Sequence, residues 1–332
     1  MASQQLKAFL AILLGAAVVF AFLLMDTPPS KGWEATNVII PKGSVSSEVA
    51  QLLEDEGVLQ HPVVFRVLVL ATMSAKRLKF GEYSFPEPPS TVEVWRKLYR
   101  GEITRYSVTV PEGANLYDIA KILDDLDLAD PDEFLDDASS PAVLRWLDIP
   151  GDTAEGFLFP DTYLLDKSMS GKDILEVMAR RFHRKFLPEW EDRAREEGFS
   201  LLEIVTIASI IEKETGVEEE VALVSAVIRR RLSLKMPLQM DPTVIYGLKR
   251  FGSGLTKKDL QTQTPYNSYL NRGLPPGPIA NPGVSAIKAA LFPADTDYLY
   301  FVSRNDGSHK FSRTLSEHNQ GVASFRRGET VD

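Results

Sequence analysis

Residues 200–215, SLLEIVTIASIIEKET, decide how the chain is organised. Ser200 followed three residues later by Glu203 is a capping box, which predicts that a helix begins here. Apolar residues then recur at helical spacing and predict one broad apolar face, formed by Leu201, Ile204, Val205, Ile207, Ala208 and Ile211. The segment ends in Glu212 and Glu214, which flank that face at about 100° per residue. We therefore predict a buried helix that carries carboxylates at its C-terminal end.

Two interpretations of these glutamates stay open at this point. A carboxyl held against an apolar wall has a raised pKa, because burial disfavours its charged form. Such an acid can still donate a proton near neutral pH. The alternative is a solvated helix end with two surface charges. The spacing alone slightly favours Glu212 as the buried acid, since it lies closer to the centre of the apolar face than Glu214.

The composition fits a globular protein of about two domains and argues against several kinds of chemistry. The chain has 332 residues, of which 44% are apolar and 25% are charged. Its net charge of -9 argues against nucleic acid as the main partner. There is no cysteine for disulfides or thiolate chemistry, and the four histidines form no zinc-type spacing such as HExxH. No glycine-rich nucleotide-binding motif occurs either.

The N-terminus predicts a membrane anchor. Residues 8–25 contain no charged or strongly polar side chain, which meets the length of a membrane-spanning helix. Lys7 precedes the run and Asp26 follows it, a weak signal that leaves the bulk of the chain outside the cytoplasm. A cleaved signal peptide is the alternative, but the run is long for one and no small-x-small cleavage site follows. We therefore expect residues 1–33 to be a single-pass anchor and tether in the cytoplasmic (inner) membrane.

A degenerate repeat follows the anchor. Residues 38–43 and 108–113 each combine a strand with a Pro-x-Gly turn, and an amphipathic helix follows each copy. Between them, Gly81–Phe85 is typical of a strand, and Thr91–Arg100 of a helix that ends before Gly101. These patterns predict a small α+β unit with a duplicated element. The repeat itself carries no chemistry.

Later segments are rich in aromatic residues, proline and glycine. Residues 155–163, EGFLFPDTY, either line a carbohydrate site or form an aromatic turn on the core. Residues 273–283, GLPPGPIANPG, form either a groove wall or a connector pinned by proline. The three arginines at 229–231 suit the C-terminal end of a helix, so they need no functional explanation. An Asp-Gly turn at 306–307 between short strands predicts a β-hairpin.

Taken together, the chain resembles the endolytic murein transglycosylase family, the membrane-anchored YceG-like proteins, over nearly its whole length. The motifs that carry the resemblance are ASIIEKET (208–215), LQMDPTVIYG (238–247), TPYNSY (264–269), GLPPGPI (273–279) and FLFPDTY (157–163). The resemblance implies an α+β fold with an N-terminal transmembrane helix, a LysM-like α/β module at residues 34–105 and a mixed α+β catalytic domain at residues 106–332. Met240 and Pro278 depart from the family pattern.

The resemblance also implies a chemistry. The substrate would be the glycan strand of peptidoglycan, and Glu214 would be the catalytic residue, with Glu212 structural. One acid protonates the bond between N-acetylmuramic acid and N-acetylglucosamine and then deprotonates the sugar's own C6 hydroxyl, which leaves a 1,6-anhydro end. No metal and no organic cofactor are implied, while peptidoglycan synthases are implied as partners. The candidate sugar-binding residues are Gln239, Asp241, Tyr246, Tyr266 and Asn267.

Two other functions stay open. The chain could be a non-catalytic scaffold that binds the cell wall at the membrane, in which case it would leave glycan length unchanged. It could also be a hydrolase that uses Glu214 with Asp241, or with another carboxylate, and a water molecule, which would produce reducing ends. The sequence leaves open whether cleavage occurs inside the strand or at its end.

Overall fold

The structure is a computed structural model that describes residues 28–29, 33–252 and 254–327. The chain divides into two compact units, Met1–Ser107 with Leu164–Ser170, and Val108–Tyr163 with Gly171–Asp332. The predicted anchor at residues 8–25 lies outside the described residues. Among the residues that are described, no helix has the length and apolar character needed to cross a membrane.

Between residues 33 and 105, the first unit contains a two-stranded sheet and three helices. These elements are β1 (Thr36–Ile40), α1 (Ser46–Asp55), α2 (Pro62–Ala71), β2 (Gly81–Phe85) and α3 (Thr91–Arg100). Strands β1 and β2 are antiparallel, with Thr36 opposite Phe85 and Ile40 opposite Gly81. The predicted strand at 81–85 and helix at 91–100 are therefore confirmed. Helix α3 ends at Gly101, whose φ of 68° is the left-handed conformation that glycine adopts without strain.

The rest of the chain completes an α+β fold, as predicted. Its elements are β3 (Tyr106–Thr109), α4 (Leu116–Asp124), α5 (Pro131–Ala138), α6 (Pro141–Trp146), β4 (Thr162–Leu165), α7 (Gly171–Lys185), α8 (Pro188–Glu196), α9 (Leu201–Glu214), α10 (Val221–Ser233), α11 (Asp241–Gly247), α12 (Val284–Leu291), β5 (Tyr300–Ser303), β6 (His309–Ser312) and α13 (Leu315–Arg327). The second copy of the repeat thus forms β3 and α4, as predicted. The predicted hairpin is β5–β6, in which Tyr300 lies opposite Ser312.

Helix α9 is the central helix of the second unit. Every residue from Ile204 to Ile211 is buried, because α10, α11 and α12 surround the helix. This differs from the single apolar face that its sequence predicts. Two polar residues inside the run are compatible with burial: Thr206 donates its hydroxyl to the Leu202 carbonyl at 2.7 Å, and Ser209 donates to the Thr206 carbonyl at 2.8 Å. Both hydroxyls therefore use the backbone of their own helix as a partner.

A buried asparagine ties three distant segments of the second unit together. Asn281 donates its side-chain amide to the Ala114 carbonyl at 2.9 Å and to Glu155 Oε1 at 3.2 Å. Its Oδ1 accepts the backbone N–H of Leu158 at 2.9 Å. The proline-rich loop at 273–283 is therefore fastened to the start of α4 and to the aromatic segment. In that segment the Phe157 side chain is fully buried. Phe157 therefore packs in the core, as one of the two interpretations predicted, and does not line an open sugar site.

Candidate active site

The C-terminal end of α9 sets the position of Glu214. The predicted capping box starts the helix: Ser200 Oγ accepts the Glu203 N–H at 3.3 Å, and the Glu203 carboxylate accepts the Ser200 N–H at 2.8 Å. The helix ends at Thr215, whose φ of -143° and ψ of 137° are extended. Glu214 is therefore the last residue of a buried helix, and its backbone is fixed by the core.

Glu214 carries the features of a buried acid. Its Oε1 is shielded from solvent and makes no hydrogen bond with any residue that the structure describes. Burial raises the pKa of Glu214 to about 8; the negative charge of Asp241 raises it further and the positive charge of Arg231 opposes the rise. An acid in this state is about nine-tenths protonated at pH 7. It can therefore donate a proton under neutral conditions.

The carboxyl faces a cleft of about 410 Å³, which is within the range of about 300–1,000 Å³ typical of ligand pockets. The cleft is bounded by α9, by the segment that starts α11, by strand β5 and by helix α13. Its lining residues are Glu214, Arg231, Gln239, Met240, Asp241, Tyr269, Tyr300, Phe301, Leu315, His318 and Asn319. The wall is mainly polar with a few aromatic faces, as a neutral, hydroxyl-rich ligand such as a sugar requires.

Asp241 and Gln239 share this cleft with Glu214. The Tyr269 hydroxyl donates to Asp241 Oδ1 at 2.6 Å, which fixes the carboxylate at the cleft wall. Gln239 has a left-handed backbone with a φ of 53°, and its N–H donates to the Ser268 carbonyl at 3.1 Å. A left-handed glutamine costs conformational energy, and such residues concentrate at functional sites. Both side chains are exposed, so a ligand in the cleft can reach them.

Tyr246 and Tyr266, also predicted to bind sugar, are absent from the lining of this cleft. Their ring centroids are 5.0 Å apart, and Phe251 lies 6.2 Å from Tyr246, so they form a separate aromatic cluster. The Tyr246 hydroxyl donates to Glu155 Oε2 at 2.9 Å. Tyr246 also lines a second cavity of about 330 Å³, together with Lys213 and other residues.

Asn267 has a structural position. Its side chain is fully buried, and its amide donates to the carbonyls of Leu260 at 3.1 Å and Thr262 at 2.8 Å. Its Oδ1 accepts the Tyr269 N–H at 2.9 Å. All these groups are satisfied within the protein, so a ligand has no free group of Asn267 to bind. The residue instead orders the loop that carries Tyr269.

Glu212 and Glu214 have different surroundings, which the spacing of the sequence left open. Glu212 Oε2 accepts the N–H of Gly283 at 2.9 Å, directly before the start of α12. Burial raises the pKa of Glu212, and the Gly283 N–H opposes this rise. Glu212 is absent from the residues that line the cleft. A carboxylate at a helix N-terminus is a stabilising arrangement, so the structure gives Glu212 a packing role.

Glu155 is another buried acid, and nothing in the sequence around it predicts that role. It is fully buried, and burial raises its pKa to about 8 against the opposing effect of hydrogen bonds from the Leu116 N–H and the Tyr246 hydroxyl. It accepts these two donors at 3.0 Å and 2.9 Å. Glu155 is absent from the lining of both cavities described above, and its hydrogen bonds join the start of α4 to α11.

Arg231 is a cleft residue that the sequence interpretation passed over. It is buried, and it donates from Nε to the Leu299 carbonyl at 2.7 Å and from Nη1 to the Leu238 carbonyl at 2.5 Å. Its guanidinium lies 5.2 Å from the centre of the Tyr300 ring. A helix C-terminus explains a run of arginines, but it does not explain why one of them is buried beside Glu214. Only the fold distinguishes this arginine from its neighbours.

His318 also lines the cleft. Its ring stacks on Tyr300 with the centroids 5.2 Å apart, and burial together with the nearby charge of Arg231 lowers its pKa. Both effects favour the neutral form of the imidazole. Its position on α13 could not be inferred from the sequence, because it depends on how α13 packs beside β5.

Comparison with known proteins points to one family. The model of the YceG-like family matches residues 38–324. An endolytic murein transglycosylase of Bacillus subtilis (strain 168) is 31% identical, over 95% of this chain and 91% of that protein. A protein of the same name from Streptococcus pneumoniae (serotype 2, strain D39) is 27% identical over 86% of this chain, but only 57% of its own length is covered. A crystal structure of a YceG-like protein of Listeria monocytogenes superposes with a TM-score of 0.60 at 31% identity, covering 86% of this chain and 99% of that one.

Proposed function

This chain belongs to the YceG-like family, and we propose that it is a peptidoglycan lytic transglycosylase with Glu214 as its single acid and base. The bond that it cleaves joins N-acetylmuramic acid to N-acetylglucosamine. The observation that carries the proposal is the position of the Glu214 carboxyl: it faces a polar cleft, and its Oε1 is buried with no hydrogen-bond partner among the described residues. Burial raises its pKa to about 8.

In the first step the Glu214 carboxyl donates its proton to the glycosidic oxygen. The bond between that oxygen and C1 of the muramyl sugar breaks, and C1 takes on positive charge. Asp241, held by Tyr269, is the anion in the cleft that stabilises this charge. In the second step the Glu214 carboxylate accepts the proton of the C6 hydroxyl while O6 bonds to C1. The product carries a 1,6-anhydro end, and Glu214 is again protonated.

Two charges beside Glu214 suit both steps. Asp241 raises the pKa of Glu214, which favours the protonated form needed at the start. Arg231 acts in the opposite direction and stabilises the carboxylate formed in between. Because the nucleophile belongs to the substrate, the reaction needs no second carboxylate to activate water, and proximity supplies part of the rate. Gln239 is the candidate to bind sugar hydroxyls or the N-acetyl group from the cleft wall.

The aromatic cluster is a second candidate contact for the glycan. Tyr246 and Tyr266 are partly exposed, and sugars stack their apolar faces on such rings. Asn267 is excluded from the proposed sugar contacts, because its side-chain amide already donates to carbonyls within its own loop.

Glu214→Gln is the test of the proposal, since glutamine keeps the shape but has no acidic proton to transfer to the glycosidic oxygen. Purified sacculi are incubated with the variant, and the released fragments are analysed for 1,6-anhydro and reducing ends. We expect release to fall by at least about a hundredfold, because general acid–base catalysis alone contributes about 10²–10⁴-fold. Glu212→Gln is the matched control; it keeps an oxygen for the Gly283 N–H and should retain activity. Undiminished anhydro ends with Glu214→Gln would remove Glu214 from the role.

The same analysis distinguishes the alternatives. Asp241 lies in the same cleft as Glu214, which is the arrangement that a hydrolase with a second carboxylate would use. Reducing ends in place of anhydro ends would assign that mechanism. Unchanged glycan length with the parent chain would instead assign a non-catalytic scaffold that binds the wall.

We propose a setting at the cytoplasmic membrane, with residues 8–25 as the anchor and the catalytic part outside the cytoplasm. There the enzyme would trim or terminate nascent strands beside peptidoglycan synthases. Membrane fractionation with protease protection tests the topology, and glycan strand lengths in cells that lack the protein test the trimming.

A further inference from the structure

Helix α2 and the segment that follows it form an exposed surface that the proposed catalysis does not use. The inner side of α2 packs into the core of the first unit through Phe65 and Val69, but its outer side does not. Leu70 is 78% exposed and Met73 is 87% exposed. Val63, two helical turns before Leu70 on the same side of α2, is also exposed. These apolar side chains are accessible to a partner.

The same surface is strongly basic. Between His61 and Phe80 the sequence contains no Asp or Glu, although the whole chain has a net charge of -9. The segment carries four exposed cations, Arg66, Lys76, Arg77 and Lys79. The Phe80 side chain next to them is 46% exposed. We call the residues from 61 to 80 that are exposed the basic apolar surface.

This combination of side chains indicates the chemistry of a partner. Long cations beside exposed aliphatic side chains are typical of helices that lie in the headgroup region of an anionic membrane. A neutral sugar is instead recognised by a few fixed polar groups and flat aromatic faces. Lysine and methionine side chains can adopt many rotamers. They therefore suit contact with a fluid lipid surface better than recognition of a sugar of fixed shape.

The connection to the proposed anchor favours a membrane. Trp33 packs against the core of the first unit. Positions 26–32 lie between it and the apolar run, and at about 3.5 Å per residue they can span at most about 25 Å. A folded unit of this size is itself about 25–30 Å across. The short connection therefore keeps the basic apolar surface at a high effective concentration near the lipid.

We propose that the basic apolar surface of the first unit binds the anionic headgroup layer of the membrane that holds the anchor. The lipid contact would hold this unit against the bilayer instead of leaving it free on its tether. The inference rests on the proposed membrane setting, and it is independent of the role proposed for Glu214.

The absence of cysteine makes a direct test possible. Met73→Cys in the full chain gives a unique site for an environment-sensitive fluorophore. The labelled chain is placed in nanodiscs of phosphatidylcholine alone or with about one-third phosphatidylglycerol, and quenching by aqueous acrylamide is measured, because a neutral quencher is not repelled by the anionic lipid. Gln51→Cys is the matched control: Gln51 is also exposed, but on α1 its neighbours are Glu54 and Asp55, to which it donates hydrogen bonds.

In anionic discs we expect at least a threefold reduction in quenching at position 73 and none at position 51. The double substitution Lys76→Glu and Lys79→Glu should abolish the protection. Equal quenching in both kinds of disc would overturn the proposal. Protection that appears only when glycan fragments are added would also overturn it and would assign the surface to a saccharide. If the chain does not insert into the discs, vesicles of the same two lipid compositions are added to the labelled chain. The same difference in quenching then supports or overturns the proposal.

A parallel assay separates this inference from the proposed function. The charge-reversed chain should still release anhydro-ended fragments from free sacculi, because none of its changes touches the cleft. The Glu214→Gln chain should show the lipid protection unchanged.

Discussion

Glu214→Gln should change the pH dependence of stability as well as activity. In the parent, the folded state holds the Glu214 proton more tightly than the unfolded chain does, because burial raises the pKa from an ordinary 4.5 to about 8. The stability that this proton contributes is fully present below about pH 4.5. It is lost progressively as the pH rises towards and through about 8. Glutamine does not titrate, so the variant lacks this loss.

The size of the effect follows from the pKa. A rise from 4.5 to about 8 corresponds to about 5 kcal/mol at about 1.4 kcal/mol per pH unit. The Glu214 side chain is partly exposed, so screening by water reduces this to about 2–3 kcal/mol. At roughly 2–4 °C per kcal/mol for a unit of this length, the variant should melt about 5–10 °C above the parent at pH 9. At pH 5 the two should melt together.

Thermal unfolding of both chains at pH 5 to 9 measures this difference. Glu219→Gln is the control, because Glu219 is an exposed glutamate shortly after the end of α9. This variant should melt at the same temperature as the parent at each pH. The parent should also lose activity on sacculi as the pH rises through about 8, because the acid form disappears. If the difference in Tm between the parent and Glu214→Gln were the same at every pH from 5 to 9, the buried-acid explanation would be refuted.

Three further substitutions test the surroundings of the cleft. Tyr269→Phe removes the hydrogen bond to Asp241; a hydrogen bond to a charged group contributes about 1.5–3 kcal/mol, so we expect kcat/KM on glycan fragments to fall at least about tenfold and Tm to fall by roughly 3–12 °C. Asn267→Ala removes the bonds that order the same loop, so unfolding should show a loss of about 2–3 kcal/mol. Phe157→Ala empties a fully buried site whose ring lies 5.0 Å from that of Phe182; calorimetry should show a loss of about 3–5 kcal/mol, with glycan binding at low temperature unchanged.

Local signals in the sequence predicted the local structure well. The Ser200–Glu203 capping box, the strand at Gly81–Phe85, the Gly101 helix end and the Asp306–Gly307 turn all lie where the sequence predicts them. Each depends on residues only a few positions apart, so no tertiary information is needed. The spacing of the apolar residues in α9 was less informative. It predicts one apolar face, whereas the structure buries the helix on all sides.

The cleft was only partly predictable, for the opposite reason. Glu214, Gln239 and Asp241 stand in motifs and could be named. Arg231 and His318 could not, since one stands in a run of arginines and the other on a polar C-terminal helix. Their presence beside Glu214 results from the packing of α10 and α13. The choice between Glu212 and Glu214 likewise depends on which of them meets the Gly283 N–H.

The contacts of Asn281 have a consequence for the order in which the protein matures. They join positions 123 and 167 residues apart along the chain. Such distant pairings close slowly, because a long loop must be ordered before any contact rewards it. As a ribosome delivers the chain from its N-terminus, the segment around Leu158 must wait for the proline-rich loop to emerge. A chain that ends before Asn281 would also lack Tyr300 and His318, which line the cleft, so lytic activity should appear only after synthesis is nearly complete.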